Sequence, residues 1–244
     1  MKFSAKPVCC SALLASALLL GGCLTTEPAK NNSGIDLSRL QWKMNKARSF
    51  SEFNSYLIEQ ESSSGVLTKS YFLKPDYIKI ESFRDKELLN VLYMNGGKIW
   101  SVNPNTQRPT EITGLKRDRI NILLQVTNPG AYKKIFSKVV PSNVKANDKW
   151  YVELVCTPRN DELETVYIYV DKNSYLPEII KTNIDGLDYS QNIVKYKDIN
   201  GIKMPQTIRV SHGINNYTIE LQKFEPDVPL SADDFQPPTP WYEK

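Results

Sequence analysis

Between residues 53 and 224 the chain is a succession of short runs in which apolar and polar side chains alternate, and turn-forming residues punctuate most of them. Successive side chains of an extended strand point to opposite faces, so period two over roughly four to eight residues marks a strand with one buried face. The runs are 53–61, 66–73, 77–82, 87–94, 98–102, 149–157, 163–170, 175–184, 189–197, 207–211 and 216–224. Their separators include Ser63-Ser64-Gly65, Lys74-Pro75-Asp76, Asn95-Gly96-Gly97, Asp171-Lys172-Asn173, Asn200-Gly201 and Gly213. Connections this short pair neighbouring strands antiparallel, and the resulting meander must close on itself or have its edges covered.

Two stretches keep helical spacing instead. Asp36 or Ser38 can cap a helix carrying Leu37, Leu40, Met44 and Ala47 as far as about Arg48. Between Leu115 and Val140, Leu115, Ile122, Leu123 and Val126 mark one helical face. Asn128-Pro129 then opens a second helix with Tyr132, Ile135, Phe136 and Val139 at i, i+3, i+4 and i+7. The alternation also predicts an inside: Trp150, Val152, Leu154 and Cys156 oppose Tyr151, Glu153 and Thr157, and Val166, Ile168 and Val170 oppose Thr165, Tyr167 and Tyr169. A sheet with one apolar face needs a cover, and the helices supply it. The expected fold is α+β and β-rich: an open antiparallel β-barrel, or strongly curved sheet, with helices over its concave face. Ile122, Leu123, Tyr132 and Phe136 would line an apolar mouth, with Trp100 buried at the barrel wall, and such a mouth suits a ligand or a partner.

The N-terminus reads as an export signal. Lys2 and Lys6 precede an apolar run over 8–20, too short to span a bilayer as an ordinary helix, which ends in Leu20-Gly21-Gly22-Cys23. That ending resembles the bacterial lipobox, in which the cysteine takes a diacylglycerol thioether and becomes the new N-terminus. The expected organisation is a lipoprotein signal peptide over 1–22, a tether over 23–34 lipidated at Cys23, and one domain over 35–244. The resemblance implies attachment to the extracytoplasmic face of a membrane, each buried acyl methylene contributing about 0.8 kcal/mol. Cys9 and Cys10 leave with the signal, so Cys156 remains without an intrachain partner and its register reads as a buried free thiol.

Without Lys2 and Lys6, 29 basic side chains face 27 acidic ones, a balance that does not point to nucleic acid. His212 is the sole histidine, which excludes His-rich zinc sites and leaves any His-based triad resting on one residue; a structural or surface role suits it. Asp161, Glu162 and Glu164 straddle a hairpin turn after Pro158 and read as a solvated loop rather than as an acid/base pair; Asp233-Asp234 read as the cap of a final turn. Lys116, Arg117 and Arg119 form a short basic patch beside the helices, facing either solvent, anionic headgroups or an acidic partner. With no Gly-rich phosphate loop, nucleophile elbow or metal-ligand spacing, the expectation is a non-enzymatic protein using no cofactor or metal.

The order of elements resembles the LolA/LolB superfamily of envelope lipoprotein carriers and sorting factors, to which RseB-type sensors are similar. Carrying the resemblance are Phe72-Leu73-Lys74-Pro75 with Tyr77-Ile78-Lys79-Ile80, and Tyr93-Met94-Asn95-Gly96-Gly97-Lys98-Ile99-Trp100 running on to Asn103-Pro104. Further on stand Tyr167-Ile168-Tyr169-Val170-Asp171, Leu176-Pro177-Glu178, and Tyr196-Lys197-Asp198-Ile199-Asn200-Gly201 leading to Met204-Pro205. These residues are fold markers. The chain departs from soluble LolA in carrying Cys23, and from LolB in showing no protruding apolar loop. Its 23 Lys against 8 Arg, with 19 Asn and 19 Ile, suggest an AT-rich coding sequence such as a clostridium has. On that count it resembles the clostridial spore-germination lipoprotein (GerS type). That resemblance implies a spore membrane, a cortex peptidoglycan amidase of the CwlD type as partner, and amidase activation as function. The broader resemblance implies instead a carrier that holds lipid or lipoprotein acyl chains in the barrel. A homodimer is compatible with either.

Overall fold

The computed structural model describes residues 34–48, 53–146 and 148–239, so Cys23, the signal and nearly all of the tether lie outside the described residues. Helix α1 (Leu37–Arg48) starts where Asp36 Oδ1 accepts the backbone amides of Ser38 at 3.0 Å and Arg39 at 3.1 Å. Those amides, with the Ser38 hydroxyl, hold the Asp36 carboxyl below its ordinary pKa, as expected of a carboxylate at a helix N-terminus.

Six strands follow: β1 (Ser55–Ser62), β2 (Val66–Leu73), β3 (Tyr77–Arg84), β4 (Glu87–Asn95), β5 (Lys98–Asn103) and β6 (Arg108–Ile112). The chain then leaves the sheet for α2 (Gly114–Gln125), a 3-10 turn (Pro129–Ala131) and the single turn α3 (Tyr132–Ile135). It returns as β7 (Phe136–Ala146), β8 (Lys149–Pro158), β9 (Val166–Asp171), β10 (Pro177–Ile184), β11 (Leu187–Ile199), β12 (Ile202–His212) and β13 (Asn215–Pro226). Among the described residues all thirteen strands belong to one sheet, ordered β6-β5-β4-β3-β2-β1-β13-β12-β11-β10-β9-β8-β7. Every pairing is antiparallel, and all but β1 with β13 join strands consecutive in the chain. Edge strands β6 and β7 do not pair, so the barrel is open, and the α2–α3 segment is the chain's connection across that opening. Gly96 and Gly97, at φ 56° and 84°, make the turn from β4 to β5 that the sequence placed there.

The second helix expected from Asn128 to Val139 is a single turn. Phe136 is extended (φ −113°, ψ 142°), and Val139 and Val140 belong to β7. A helical turn entering a strand reproduces i, i+3, i+4 spacing, and Pro141 could not have continued a helix; it sits instead on the edge strand, where a missing N–H costs no ladder bond. Strand β6 was not expected because Arg108-Pro109-Thr110-Glu111 shows no alternation; at the sheet edge only Ile112 of the strand is buried. Strand β12 begins earlier than 207, with Pro205 paired opposite Tyr196, beside the irregularity of β11 around Lys195. Trp150 does not point into the core: it is 54% exposed at the start of β8, with Lys172 Nζ 4.9 Å from its ring centroid, whereas Val152, Leu154 and Cys156 are buried as expected.

One apolar cluster fills the concave side. It joins Leu40 and Met44 of α1 and Ile120, Ile122, Leu123 and Leu124 of α2 to strand residues such as Ile58, Ile80, Ile99, Leu154, Ile168, Met204 and Ile208. On the other face, the chain after β13 is held by Asp227 N donating to Ser55 O (2.9 Å) and Ser55 Oγ donating to Val228 O (2.6 Å). A last 3-10 turn (Ala232–Phe235) buries Phe235 with its ring centroid 5.7 Å from that of Tyr77. Ser231 and Asp234 cap that turn reciprocally, so Asp234 of the expected pair does the capping.

Candidate functional site: the covered concave face

Asn128 Oδ1 accepts the Gly130 amide at 3.1 Å, which starts the 3-10 turn and swings Tyr132 back over the sheet. Four of the expected lining residues, Ile122, Leu123, Tyr132 and Phe136, come together in the buried cluster, the Tyr132 and Phe136 rings meeting edge to face at 5.6 Å. Trp100 does not join them. Its neighbours along β5 alternate, so with Ile99 fully buried inside, Trp100 stands half-buried on the convex face, paired with Tyr93 and Glu111.

Arg48, the last residue of α1, is buried under this cover and its Nη1 donates to Thr127 O between α2 and the 3-10 turn. Burial lowers the guanidinium pKa, while nearby Tyr196, Tyr56 and Tyr132 act the other way. Burial likewise drives the Tyr132 phenol well above its ordinary pKa, and the Tyr132 hydroxyl has no hydrogen-bond partner among the described residues.

A second group of inward side chains is polar. Gln60 on β1 pairs with Thr68 on β2, which pairs with Ser82 on β3, which pairs with Asn90 on β4. Ser70 follows Thr68 on the same face. Gln60, Thr68, Ser70 and Ser82 are buried, yet both carboxamide atoms of Gln60 and the hydroxyls of Ser70 and Ser82 find no hydrogen-bond partner among the described residues. Sequence reasoning missed this row, although its signal was present: polar residues at the inward register of three consecutive strands.

The remaining candidates have structural surroundings. Cys156 is buried, which pushes its thiol pKa up and makes it unreactive. His212 lies at the end of β12, its ring 5.9 Å from Tyr189 and Nε2 3.5 Å from Ile184 O. Asp161, Glu162 and Glu164 occupy the β8–β9 connection, where Glu162 N donates to Asn160 Oδ1 at 3.1 Å. Of the basic patch, Arg117 is tied to Asp118 at 2.6 Å and Arg119 to Asp185 at 2.8 Å, while the exposed Lys116 makes no ion pair among the described residues. Among the described residues no group of three or more His, Cys, Asp or Glu side chains could hold a metal ion, and no helix is long and apolar enough to cross a membrane.

By sequence the chain matches no family profile and no curated protein. Solved structures match its shape. A DUF1329 family protein from Desulfovibrio piger superposes with a TM-score of 0.58 at 15% identity, covering 81% of this chain and 95% of that one. A Vibrio parahaemolyticus domain described as an outer membrane lipoprotein-sorting protein gives 0.56 at 14% identity, over 82% and 97%. A LolA superfamily protein from Nitrosomonas europaea gives 0.53 at 14% identity, over 81% and 97%. The open, curled thirteen-stranded sheet with helices inside its curve is thus a LolA-like fold.

Proposed function

We propose that this chain is a non-enzymatic envelope protein, anchored by lipid at Cys23, whose curled sheet holds the acyl chains of a lipid or of a lipoprotein. The observation that carries the reading is the covered concave face: an apolar lining closed over by α1, α2 and α3 rather than by a second sheet. Because β6 and β7 do not pair, the helical cover can part from the lining without breaking any strand ladder. The likeness to a domain described as lipoprotein-sorting adds support at the level of fold. Activation of a cortex amidase stays the second reading; it rests on Cys23, the element order and the composition, and nothing among the described residues favours it over acyl binding.

Native mass spectrometry of the tagged protein, gently isolated from its own cell envelope, tests the proposal. An added mass of lipid or acylated peptide is the expected result, whereas a stoichiometric protein partner with no lipid would turn the assignment to the regulator. The anchor has its own test: Cys23→Ser should move the protein out of the membrane fraction while its ligand binding in vitro persists. Unchanged sedimentation with membranes would remove the lipobox from the account.

A further inference from the structure

Within the concave face, the polar row is placed where an apolar lining would be expected. Directly opposed residues of antiparallel strands have Cβ atoms about 5 Å apart, so the ladder Gln60–Thr68–Ser82–Asn90 sets four polar side chains side by side across β1 to β4, with Ser70 one step along β2. Gln60 is 1% exposed. A buried carboxamide or hydroxyl with no partner destabilises the fold, and substitution by an apolar residue of similar shape is neutral or stabilising. The fold retains three such side chains in one patch, with both polar atoms of Gln60 unmatched. Burial eases along the row: Asn90 and Ser101, which donates its hydroxyl to Asn90 Oδ1 at 2.8 Å, are only half-buried, so the row runs from the deep interior toward solvent at β4 and β5.

We propose that Gln60, Ser70 and Ser82, with Thr68, form a headgroup site for the uncharged ester and hydroxyl end of an acylglycerol, whose acyl chains lie along the adjoining apolar lining. The assignment rests on the acyl-binding reading given above and specifies its ligand. The chemistry of the row selects the class. A carboxamide supplies two donors and one acceptor, and each serine hydroxyl supplies one donor; ester carbonyls accept, and a glycerol hydroxyl both donates and accepts. The row contains no ionised side chain, and a phosphate or carboxylate buried there without a counter-charge would be strongly disfavoured. Among the described residues the buried cation is Arg48; it lies near Tyr56, which is four residues along β1 from Gln60, about 13 Å at the rise of a strand. Apolar neighbours flank the row on the same face, Ile58 and Phe72 on β1 and β2 and Ile80 on β3, against which an acyl chain held by its ester at the row would lie once the helical cover parts.

The test compares four probes on the purified domain: dioctanoylglycerol, dioctanoylphosphatidylglycerol, octanoate, and the neutral dye N-phenyl-1-naphthylamine as a reporter of any apolar cavity. Wild type should bind the acylglycerol at least about tenfold more tightly than either charged lipid. Gln60→Leu should lose about tenfold for the acylglycerol, the order expected when a site built to pair polar groups meets an unmatched one, and keep its dye affinity. It should also melt no lower than wild type, and a rise of a few degrees is expected from removing unmatched buried atoms. Ser82→Ala should show the same selective loss and serves if the leucine variant does not fold. Unchanged acylglycerol affinity in both variants would overturn the site, as would a lower melting temperature with all probes lost together, which marks a structural role. A preference of wild type for the charged lipids would overturn it too and point to the Arg48 end. If octanoate and dye bind without preference for the glycerol ester, only the headgroup site falls; if no probe enters, the acyl-binding reading falls and the site with it.

Discussion

Replacing Leu123 with Ala should lower the unfolding free energy by about 3 kcal/mol, read as a fall in denaturant midpoint at constant m-value. Leu123 lies on α2 and is 1% exposed, packed in the cluster that unites the helical cover with the sheet. The substitution loses the transfer free energy of the deleted atoms and leaves a cavity that a sheet of fixed curvature cannot readily close. The measurement also separates two pictures of the interior. If the cover sits on a fully packed core, the whole cost appears. A loss under about 1 kcal/mol would mean that Leu123 borders space into which its neighbours already relax, and saturating acyl ligand should then restore much of the difference, since a ligand that binds only the folded state stabilises it.

Asp171→Asn should cost about 2 kcal/mol at pH 7, and the cost should vanish as the solution is acidified. Asp171, at the end of β9, is 4% exposed. Burial alone would raise its pKa. That effect is overcome by Lys149 Nζ at 2.7 Å and by the backbone amide of Ser174 at 2.6 Å together with its side chain, which hold the carboxyl at about 2; the Asn173 amide also donates to Asp171 Oδ1 at 3.0 Å. An unfolded aspartate titrates near 3.9, so the folded value is depressed; the stabilisation is complete above about pH 5 and is lost as pH falls through about 2. Asparagine keeps an oxygen for the turn amides but not the charge, and so isolates the ion pair. The gap in denaturant midpoint between wild type and variant should be full at pH 7 and shrink to about a third of that at pH 2.5. A gap of the same size at both would assign the effect to the turn geometry and not to Lys149.

How far the sequence disclosed the molecule depends on what each residue had to signal. Strand β2 could be bounded to the residue, because Val66, Thr68, Ser70 and Phe72 face in and both of its ends are turns. Strand β6 was invisible, since a strand at an edge has little to bury and therefore no period to show. The turn at Tyr132 and the strand from Phe136 together imitated a helix, and only Pro141 argued otherwise. Two tryptophans mislead for a common reason: Trp100 and Trp150 are large and apolar, but hydrophobicity does not say which face a residue occupies or how far the cover reaches. The burial of Ile122, Leu123, Tyr132 and Phe136 was legible from their apolar character in a helical pattern, although Phe136 proves to open a strand. The polar row was not, because Gln and Ser are read as surface until strand register places them side by side on the covered face.

The order of strands in the sheet has a kinetic meaning as well. Strands β1 to β6 and β7 to β13 are two meanders, each built from hairpins whose partners are close in sequence, and a single ladder, β1 with β13, joins them. That ladder brings Tyr56 opposite Pro226, so its closure spans almost the whole domain and bears the largest loop entropy of any step. Folding should therefore proceed as two quick local assemblies followed by one slow docking, with the rate set by the zipping of β1 onto β13. That ladder lies in the middle of the sheet while the helical segment joins its two edge strands, so the last pairing to form and the crossover of the helical cover stand at opposite places in the strand order.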